Sequence, residues 1–347
     1  MLRALSEEDG SKVARTLDDL AELSGVSRAT VSRVINGRSV SPESRQKVLE
    51  VIETTGYRPN LAARNLASGR SGVVGVVMHV AAPLVFSDAY FAALLTGICD
   101  SLSQQAAGMM LWLGNRTKQE TLNQILGMGM LDGYIVTADS MDDPLVDGIR
   151  ASGLPVVLVG HRTADRDVSY VDIDNETAAE AITDHLIRTG ATRIGHITGR
   201  ADSVSGRWRR IGFEQSMRRA GLSIEGLVVE GDYTSQRGYQ AALTLLDSGV
   251  DAIFAANDYT ALGALNAIRE RGLSVPEDVA LAGFDDLDFA ATLDPPLTTI
   301  RQGIPEIGHE AARTLLRILD KPDGGPGRVL LPTELVIRQS TARRPSG

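Results

Sequence analysis

The sequence predicts a small three-helix head, a short hinge segment and a large α/β body of two lobes, each lobe a doubly wound parallel sheet. Three observations carry this. Residues 16–59 hold short amphipathic stretches of helical period, punctuated by glycine and Ser-Pro signals. From Gly72 onward, apolar runs about four to eight residues long alternate with amphipathic stretches of about ten to eighteen, the pattern of buried parallel strands between helices. Charge is also divided: residues 1–70 hold eleven basic and nine acidic groups, net +2, whereas the 347-residue chain is net −9, which leaves −11 for the rest. A basic segment joined to an acidic body suggests that the small part meets a polyanion and the large part does something else.

In the head, Thr16 precedes Leu17, Leu20, Ala21 and Leu23, and Asp19 stands three residues after Thr16, the spacing of a capping box. Gly25 interrupts this first helix. Ser27 is suited to cap a second over 28–36, with Ala29, Val31, Val34 and Ile35 apolar, and two helices joined by a glycine turn form a helix-turn-helix. Ser41-Pro42-Glu43 offers a cap, a first-turn proline and an acid at the positive end of the dipole for a third helix to about 55, with Val48, Val51 and Ile52 closing the core. The polar face of the second helix carries Arg28, Thr30, Ser32, Arg33 and Asn36, donor types that reach phosphates and base edges. A solvated face, with Arg33 in a surface salt bridge, is the alternative. After Pro59, residues 60–70 are alanine-rich but only two or three turns long, too short for a helix stable alone, so this segment is expected to fold only when docked.

The body's expected strands are 73–80, 109–113, 133–137, 155–159, 193–198, 227–231, 252–256 and 279–283, with a last strand over 328–338. Helices are expected over 88–106, 175–189, 206–220, 235–248, 258–272 and 304–319. In open sheets ligands bind outside the carboxyl ends of the strands, and between two lobes they occupy the cleft. His79, His161, Arg207, Asn257, Asp258, Asp285 and Asp286 follow expected strands and fit a polar cleft, although Asn257 or Asp258 could equally cap the next helix. No Walker loop or Gly-x-Ser-x-Gly elbow is present, and Asp285 and Asp286 have no second catalytic group at a meaningful spacing, so no catalytic residues and no enzyme are expected. One cysteine, Cys99, excludes an intramolecular disulfide; it and Trp208 read as packing residues. Five scattered histidines suggest no metal site and no cofactor. The apolar runs are shorter than the roughly 18 residues of a membrane span, and the first fifteen residues lack a signal-like apolar core, so a cytoplasmic protein is expected.

The run from Thr16 to Gly37, with Val40-Ser-Pro-Glu-Ser-Arg45 and Gly56-Tyr-Arg-Pro-Asn60, closely resembles the DNA-binding head of the lactose-repressor (LacI) family. Val171-Asp-Ile-Asp-Asn175, Arg207–Phe213, Ala256-Asn-Asp258, Gly283-Phe-Asp-Asp286 and Pro296–Ile300 extend the resemblance to about Ser340, with a body similar to periplasmic sugar-binding proteins. It implies a flexible extension over 1–15, a helix-turn-helix domain over 16–59, a hinge over 60–71 and an effector and dimerisation domain over 72–347. The first lobe would hold about 72–162 and 303–322, the second about 163–302 and 323–340.

Base contacts would fall on Arg28, Ala29 and Arg33, and phosphate contacts on Thr16, Ser27, Thr30, Ser32 and Asn36. Ala29 offers only a methyl, so direct readout should lean on the arginines. Asn60, Ala63 and Leu66 would enter the minor groove, with Leu66 as a wedge. Effector contacts would fall on His79, Tyr90, Phe91, His161 (or Gly160), Arg207, Asn257, Asp285 and Gln302. Arg, Asn and Asp can hold vicinal hydroxyls and an aromatic face can carry a ring, so a carbohydrate-type effector is expected. The segment 81–88 and Gly160 depart from the family's usual wording, which leaves a purine or nucleoside corepressor as the alternative and a cytosolic sugar-acting enzyme as a remoter one. The implied partners are a palindromic double-stranded operator and a second copy, since one head contacts few base pairs; the expected helix 88–106 and the first lobe's exposed apolar parts are candidates for the dimer interface.

Overall fold

The computed structural model describes residues 16–35, 38–57, 70–78, 80–114, 117–129, 131–137, 140–161 and 167–342. The expected contacts Asn36, Asn60, Ala63, Leu66 and His79 lie outside the described residues. The chain divides between Ser71 and Gly72 into two compact units.

In the first unit lie α1 (Leu17–Ser24), α2 (Arg28–Ile35) and α3 (Pro42–Thr55). The capping box forms as the spacing requires: Thr16 Oγ1 accepts the Asp19 amide at 3.1 Å and Asp19 Oδ2 accepts the Thr16 amide at 3.0 Å. Gly25 ends α1 at φ 67, a left-handed conformation that glycine adopts without a Cβ clash. Ser27 and Ser41 then cap α2 and α3 through the Thr30 and Ser44 amides, at 3.1 and 3.3 Å. Leu20, Val31, Val34, Val48 and Tyr57 form the buried core of this unit.

The second unit opens with β1 (Val73–Met78), α4 (Ala82–Ser87), α5 (Ala89–Gln104), β2 (Gly108–Leu113), α6 (Lys118–Met128), β3 (Gly133–Thr137), α7 (Pro144–Ala151), β4 (Val156–Val159) and β5 (Ser169–Ile173). There follow α8 (Asn175–Arg188), β6 (Ile194–Ile197), α9 (Val204–Arg219), β7 (Val228–Val229), α10 (Ser235–Asp247), β8 (Ala252–Ala255), α11 (Asp258–Glu270) and β9 (Ala280–Ala282). The chain closes with β10 (Thr299–Arg301), α12 (Ile304–Asp320), β11 (Arg328–Leu331) and β12 (Glu334–Val336).

Among the described residues the strands make a six-stranded parallel sheet, β11-β5-β4-β3-β1-β2, a four-stranded parallel sheet, β7-β6-β8-β9, and an antiparallel β10-β12 pair. Strand order reverses between β1 and β3 in the first sheet and between β6 and β8 in the second, the switch points beside which such sheets bind ligands. Helices α5 and α12 meet almost backbone to backbone: a Cβ at Gly97 would stand 1.9 Å from the Pro305 carbonyl oxygen, and one at Gly308 2.2 Å from that of Leu94.

Two expectations need correction. The lobe boundaries at 162/163 and 322/323 place residues 169–173 and 328–331 in the second lobe, but β5 pairs with β4 and β11 with β5, so both strands complete the first sheet. Asp172 within β5, and the alternately exposed residues of the edge strand β11, break up the uninterrupted apolar run that marks a central parallel strand. The single strand expected over 328–338 is two strands. Pro332 separates them; it has no N–H for a ladder, and the chain passes there from the first sheet to the β10-β12 pair.

Candidate nucleic-acid interface and effector cleft

In the head, Ser27, Arg28, Ala29 and Arg33 of the second helix face solvent, with Thr30 and Ser32 half-buried behind them. Ser27 Oγ and Thr30 Oγ1 lie 2.9 Å apart, so the two hydroxyls are held together where the helix dipole is positive. Arg28 Nη1 stands 3.5 Å from Asp18 Oδ2, with both side chains 67% exposed. Such a surface pair is worth little and gives way to a phosphate or a base edge. A short helix with an exposed guanidinium in its first turn and another in its last, and hydroxyls at its N-terminus, has the dimensions and donors of a major-groove reader.

In the body, a cavity of about 150 Å³ opens between the lobes at the carboxyl ends of their strands. Its two walls differ. The first lobe supplies Val80, Leu84, Tyr90, Phe91, Val159 and Gly160, with Asp88, Thr137 and Asp172 as polar exceptions. From the second lobe come Arg200, Ser205, Arg209, Asp232, Tyr233, Thr234, Asn257 and Asp285. Tyr90 and Phe91 meet edge to face, ring centroids 5.4 Å apart.

A line of polar contacts runs beneath the cavity. Gln302 Nε2 donates to Asp285 Oδ1 at 2.5 Å, and Arg209 Nη1 lies 3.7 Å from the same oxygen. Arg209 Nη1 also donates to the Ala256 carbonyl at 2.6 Å and Nε to Asn175 Oδ1 at 2.9 Å, while its guanidinium sits 3.6 Å above the centre of the Phe284 ring. Asn175 Nδ2 donates to Asp172 Oδ1 at 3.3 Å, and Asp172 Oδ2 lies 2.7 Å from His161 Nδ1. These bonds fix Arg209 in one rotamer. Among the described residues no hydrogen bond engages its Nη2 group or Asp285 Oδ2, which leaves a donor and an acceptor on two residues of the cavity lining.

Asp285 and Asp286 both have positive φ, 114 and 57, in the turn after β9. The turn sends the neighbours opposite ways: Asp285 lines the cavity, whereas Asp286 is held by Arg338 Nη2 at 2.6 Å and Arg301 Nε at 2.7 Å. Burial pushes the Asp285 carboxyl well above the usual carboxylate range, against the pull of Arg209, and it also raises Asp88. Asp258 lies behind the cleft and accepts bonds from Thr299 Oγ1 at 2.7 Å and the Leu287 amide at 2.8 Å. Burial outweighs those bonds and pushes its carboxyl up to about 7.

With this geometry in view, comparison with known proteins is decisive. Residues 16–60 match bacterial regulatory proteins of the lacI family, and residues 183–341 match the periplasmic binding protein-like domain. The chain is 38% identical over 332 residues to the HTH-type transcriptional regulator CelR of Thermobifida fusca, covering 94% of this chain and 98% of that protein. It is 34% identical to catabolite control protein A of Priestia megaterium, covering 94% of this chain and 99% of the relative. The chain belongs to the lacI family.

Solved structures of family members agree. A CelR–cellobiose complex, 36% identical, superposes with a TM-score of 0.75 over 94% of this chain and 100% of that one. The lac repressor dimer bound to operator and the anti-inducer ONPF, 29% identical, gives 0.80 over 94% and 98%. As a lacI-family protein the chain is an effector-controlled, DNA-binding transcriptional regulator, and its close relatives are regulators rather than enzymes. Among the described residues no group of His, Cys, Asp and Glu could hold a metal ion, and no helix is long and apolar enough to cross a membrane.

Of the effector residues expected in this lacI-family body, Tyr90, Phe91, Asn257, Asp285 and Gln302 come together around the cavity. Asn257 also caps α11, accepting the Thr260 amide at 2.8 Å, and donates to the Tyr233 carbonyl at 3.2 Å, so wall and cap are one residue. His161 is not part of the lining; its ring stacks on Tyr170, centroids 4.4 Å apart, and it braces Asp172 from behind. Arg207 is a correction. It is exposed on the outer face of α9 and does not line the cavity, which receives Arg209 instead.

Helical period distinguishes the two arginines. Arg209 shares a face with Phe213, Ser216 and Met217, all buried, whereas Arg207 shares one with Arg210, Glu214 and Arg218. Asp88, Asp172, Asn175, Ser205 and Tyr233 also line the site and are missed by sequence reasoning. For Asp172 and Asn175 the signal is their place at the carboxyl end of a strand, visible only once β5 is recognised as one.

Proposed function

We propose that the chain is a homodimeric repressor that grips a palindromic operator through its heads, and that a carbohydrate in the cleft sets how tightly it holds. In this reading Arg28, Ala29 and Arg33 meet base edges, while Thr16, Ser27, Thr30, Ser32 and Asn36 hold phosphates. The segment 60–71 is the hinge, with Asn60 and Ala63 in the minor groove and Leu66 as its wedge. As a DNA-binding regulator the protein works in the cytoplasm.

The observation that carries the effector reading is the uncommitted pair, Arg209 Nη2 and Asp285 Oδ2, in a cavity whose other wall presents Tyr90 and Phe91. A donor and an acceptor on one cavity wall suit the hydroxyls of a sugar, and an aromatic wall suits the C–H face of a pyranose. The cellobiose complex of the CelR relative supports the same class of ligand. Binding that changes the angle between the lobes would alter operator affinity by linkage, and a coupling of about 1 to 3 kcal/mol, roughly 5- to 150-fold, is ordinary for such systems.

The test is a thermal-shift screen of neutral sugars, sugar phosphates, nucleosides and nucleobases against the full-length protein, each hit scored for its effect on operator binding. A neutral saccharide that raises the melting temperature and shifts operator affinity is the expected result. A response to purines or nucleosides alone would overturn the carbohydrate assignment.

A further inference from the structure

The polar contacts beneath the cavity account for its floor but not for what holds its rim closed. Helix α4 ends at Ser87 and helix α5 begins at Ala89, so this junction exposes two kinds of orphan backbone group: terminal carbonyls of the first helix and initial amides of the second. Asp88, between them, caps α5 by accepting the Tyr90 amide at 2.9 Å. Beyond that cap stand the Ala89 amide and the Ser87 carbonyl. Both are taken by one group from the other lobe: Tyr259 Oη accepts from the Ala89 amide and donates to the Ser87 carbonyl, each at 3.3 Å.

We propose that the Tyr259 hydroxyl is an interlobe latch, a positioning residue that holds the Ala82–Ala89 segment over the cavity and so sets how tightly the cleft closes on its effector. The functional half of this rests on the effector reading above. Several features place the latch where it can act. Tyr259 is two residues from Asn257, and Ser87 and Ala89 flank Asp88; Leu84, Asp88, Tyr90, Phe91 and Asn257 all line the cavity. Its ring rests on Phe289, centroids 5.0 Å apart, so the hydroxyl is presented by a fixed platform on the second lobe. A second contact between the lobes, in which the Met141 amide donates to the Asp202 carbonyl at 2.9 Å, is made by backbone and is insensitive to side-chain identity. Tyr259 therefore supplies the adjustable part of closure.

Tyr259→Phe removes the hydroxyl and keeps the ring on Phe289, so the fold is expected to survive. The experiment is amide hydrogen exchange on full-length wild type and variant, with cellobiose as the probe ligand in a parallel titration. In the variant, peptides spanning 84–91 are expected to exchange about tenfold faster, with the central strands and the 140–141 contact unchanged; losing two hydrogen bonds should weaken cellobiose binding roughly three- to tenfold. Unchanged exchange at 84–91, or a rise spread evenly over the second lobe, would overturn the latch, as would equal cellobiose affinity for the two proteins. If cellobiose fails to bind wild type at all, the carbohydrate reading loses that probe, and the exchange result alone decides the latch.

Discussion

Arg33 on the head and Arg209 in the cleft are the same residue type put to opposite uses. Arg33 faces solvent on a helix of eight residues, whereas Arg209 is 5% exposed, bonded to Asn175 and the Ala256 carbonyl, stacked on Phe284 and set beside an equally buried Asp285. A hydrated charge is free to exchange water and counterions for a polyanion, at no cost to the fold. A desolvated one is part of the fold, and its removal leaves its partners unpaired. Function at the head should therefore separate from stability, and function in the cleft should not.

The largest expected effect follows from that difference. Arg209→Ala leaves a buried acid without its ion-pair partner and an amide oxygen and a carbonyl without their donor, and is expected to lower unfolding free energy by about 3 kcal/mol while abolishing the effector response. Asp285 can relieve part of the penalty by taking up a proton, since burial raises its pKa and the opposing pull of Arg209 is gone. Urea unfolding beside effector titration checks both, and a stable but unresponsive variant would show that the cleft behaves like the head.

A second buried group carries the contrast into pH. His196 lies between Phe254 and Phe213, with ring centroids at 4.6 and 4.9 Å and its Nδ1 2.9 Å from the Phe254 carbonyl oxygen; burial, the dominant cause, lowers its pKa from 6.5 to about 4. Between those values the unfolded chain binds a proton that the fold refuses. Stability is thus intact above about 6.5 and falls as pH drops toward 4, by about 2 kcal/mol at pH 5 from this group. His196→Phe should flatten that acid limb, whatever the variant's stability at pH 7.5. Urea midpoints at pH 7.5 and 5 that change in parallel for the two proteins would mean the ring is already charged in the fold.

On the head, Arg33→Ala is expected to weaken operator binding by about 1 to 3 kcal/mol per head while moving stability by less than about 0.5 kcal/mol. Comparing operators that differ at one base pair sharpens the assignment. A loss concentrated at one position marks a base contact, and an equal loss on every sequence marks a phosphate contact.

The same contrast explains what could be read before the fold was seen. The head's functional groups lie in one run of about twenty residues, and its caps, Thr16 with Asp19, Ser27 and Ser41, are local signals the structure repeats. The cleft is assembled from strand ends scattered from Val80 to Gln302, and which side chain points inward depends on register. Thus the central strands β1, β3, β6 and β8 were legible as apolar runs, but β5 was not, because Ser169, Tyr170 and Asp172 interrupt it. Helices α6 and α7 also carry readable starts, the Thr117–Glu120 capping box and the Asp143 cap ahead of Pro144, which the sequence reading passed over. Arg207 and Arg209 differ by two residues, or about 200° around a helix, enough to move a side chain from cavity to solvent.

That last pair supplies the smallest expected effect and the most direct test of the register. Arg207 is exposed on α9, and among the described residues no ion pair holds its side chain, so Arg207→Ala should change unfolding free energy by less than about 0.5 kcal/mol. Because Arg209, not Arg207, lines the cavity, effector affinity should also be unchanged within error. Loss of the effector response in Arg207→Ala, with stability preserved, would require α9 to be rotated from the orientation that buries Phe213 and Met217. Restoring Arg207 to the cleft would then expel Arg209, and with it the partner of Asp285; the two arginine variants cannot both be silent.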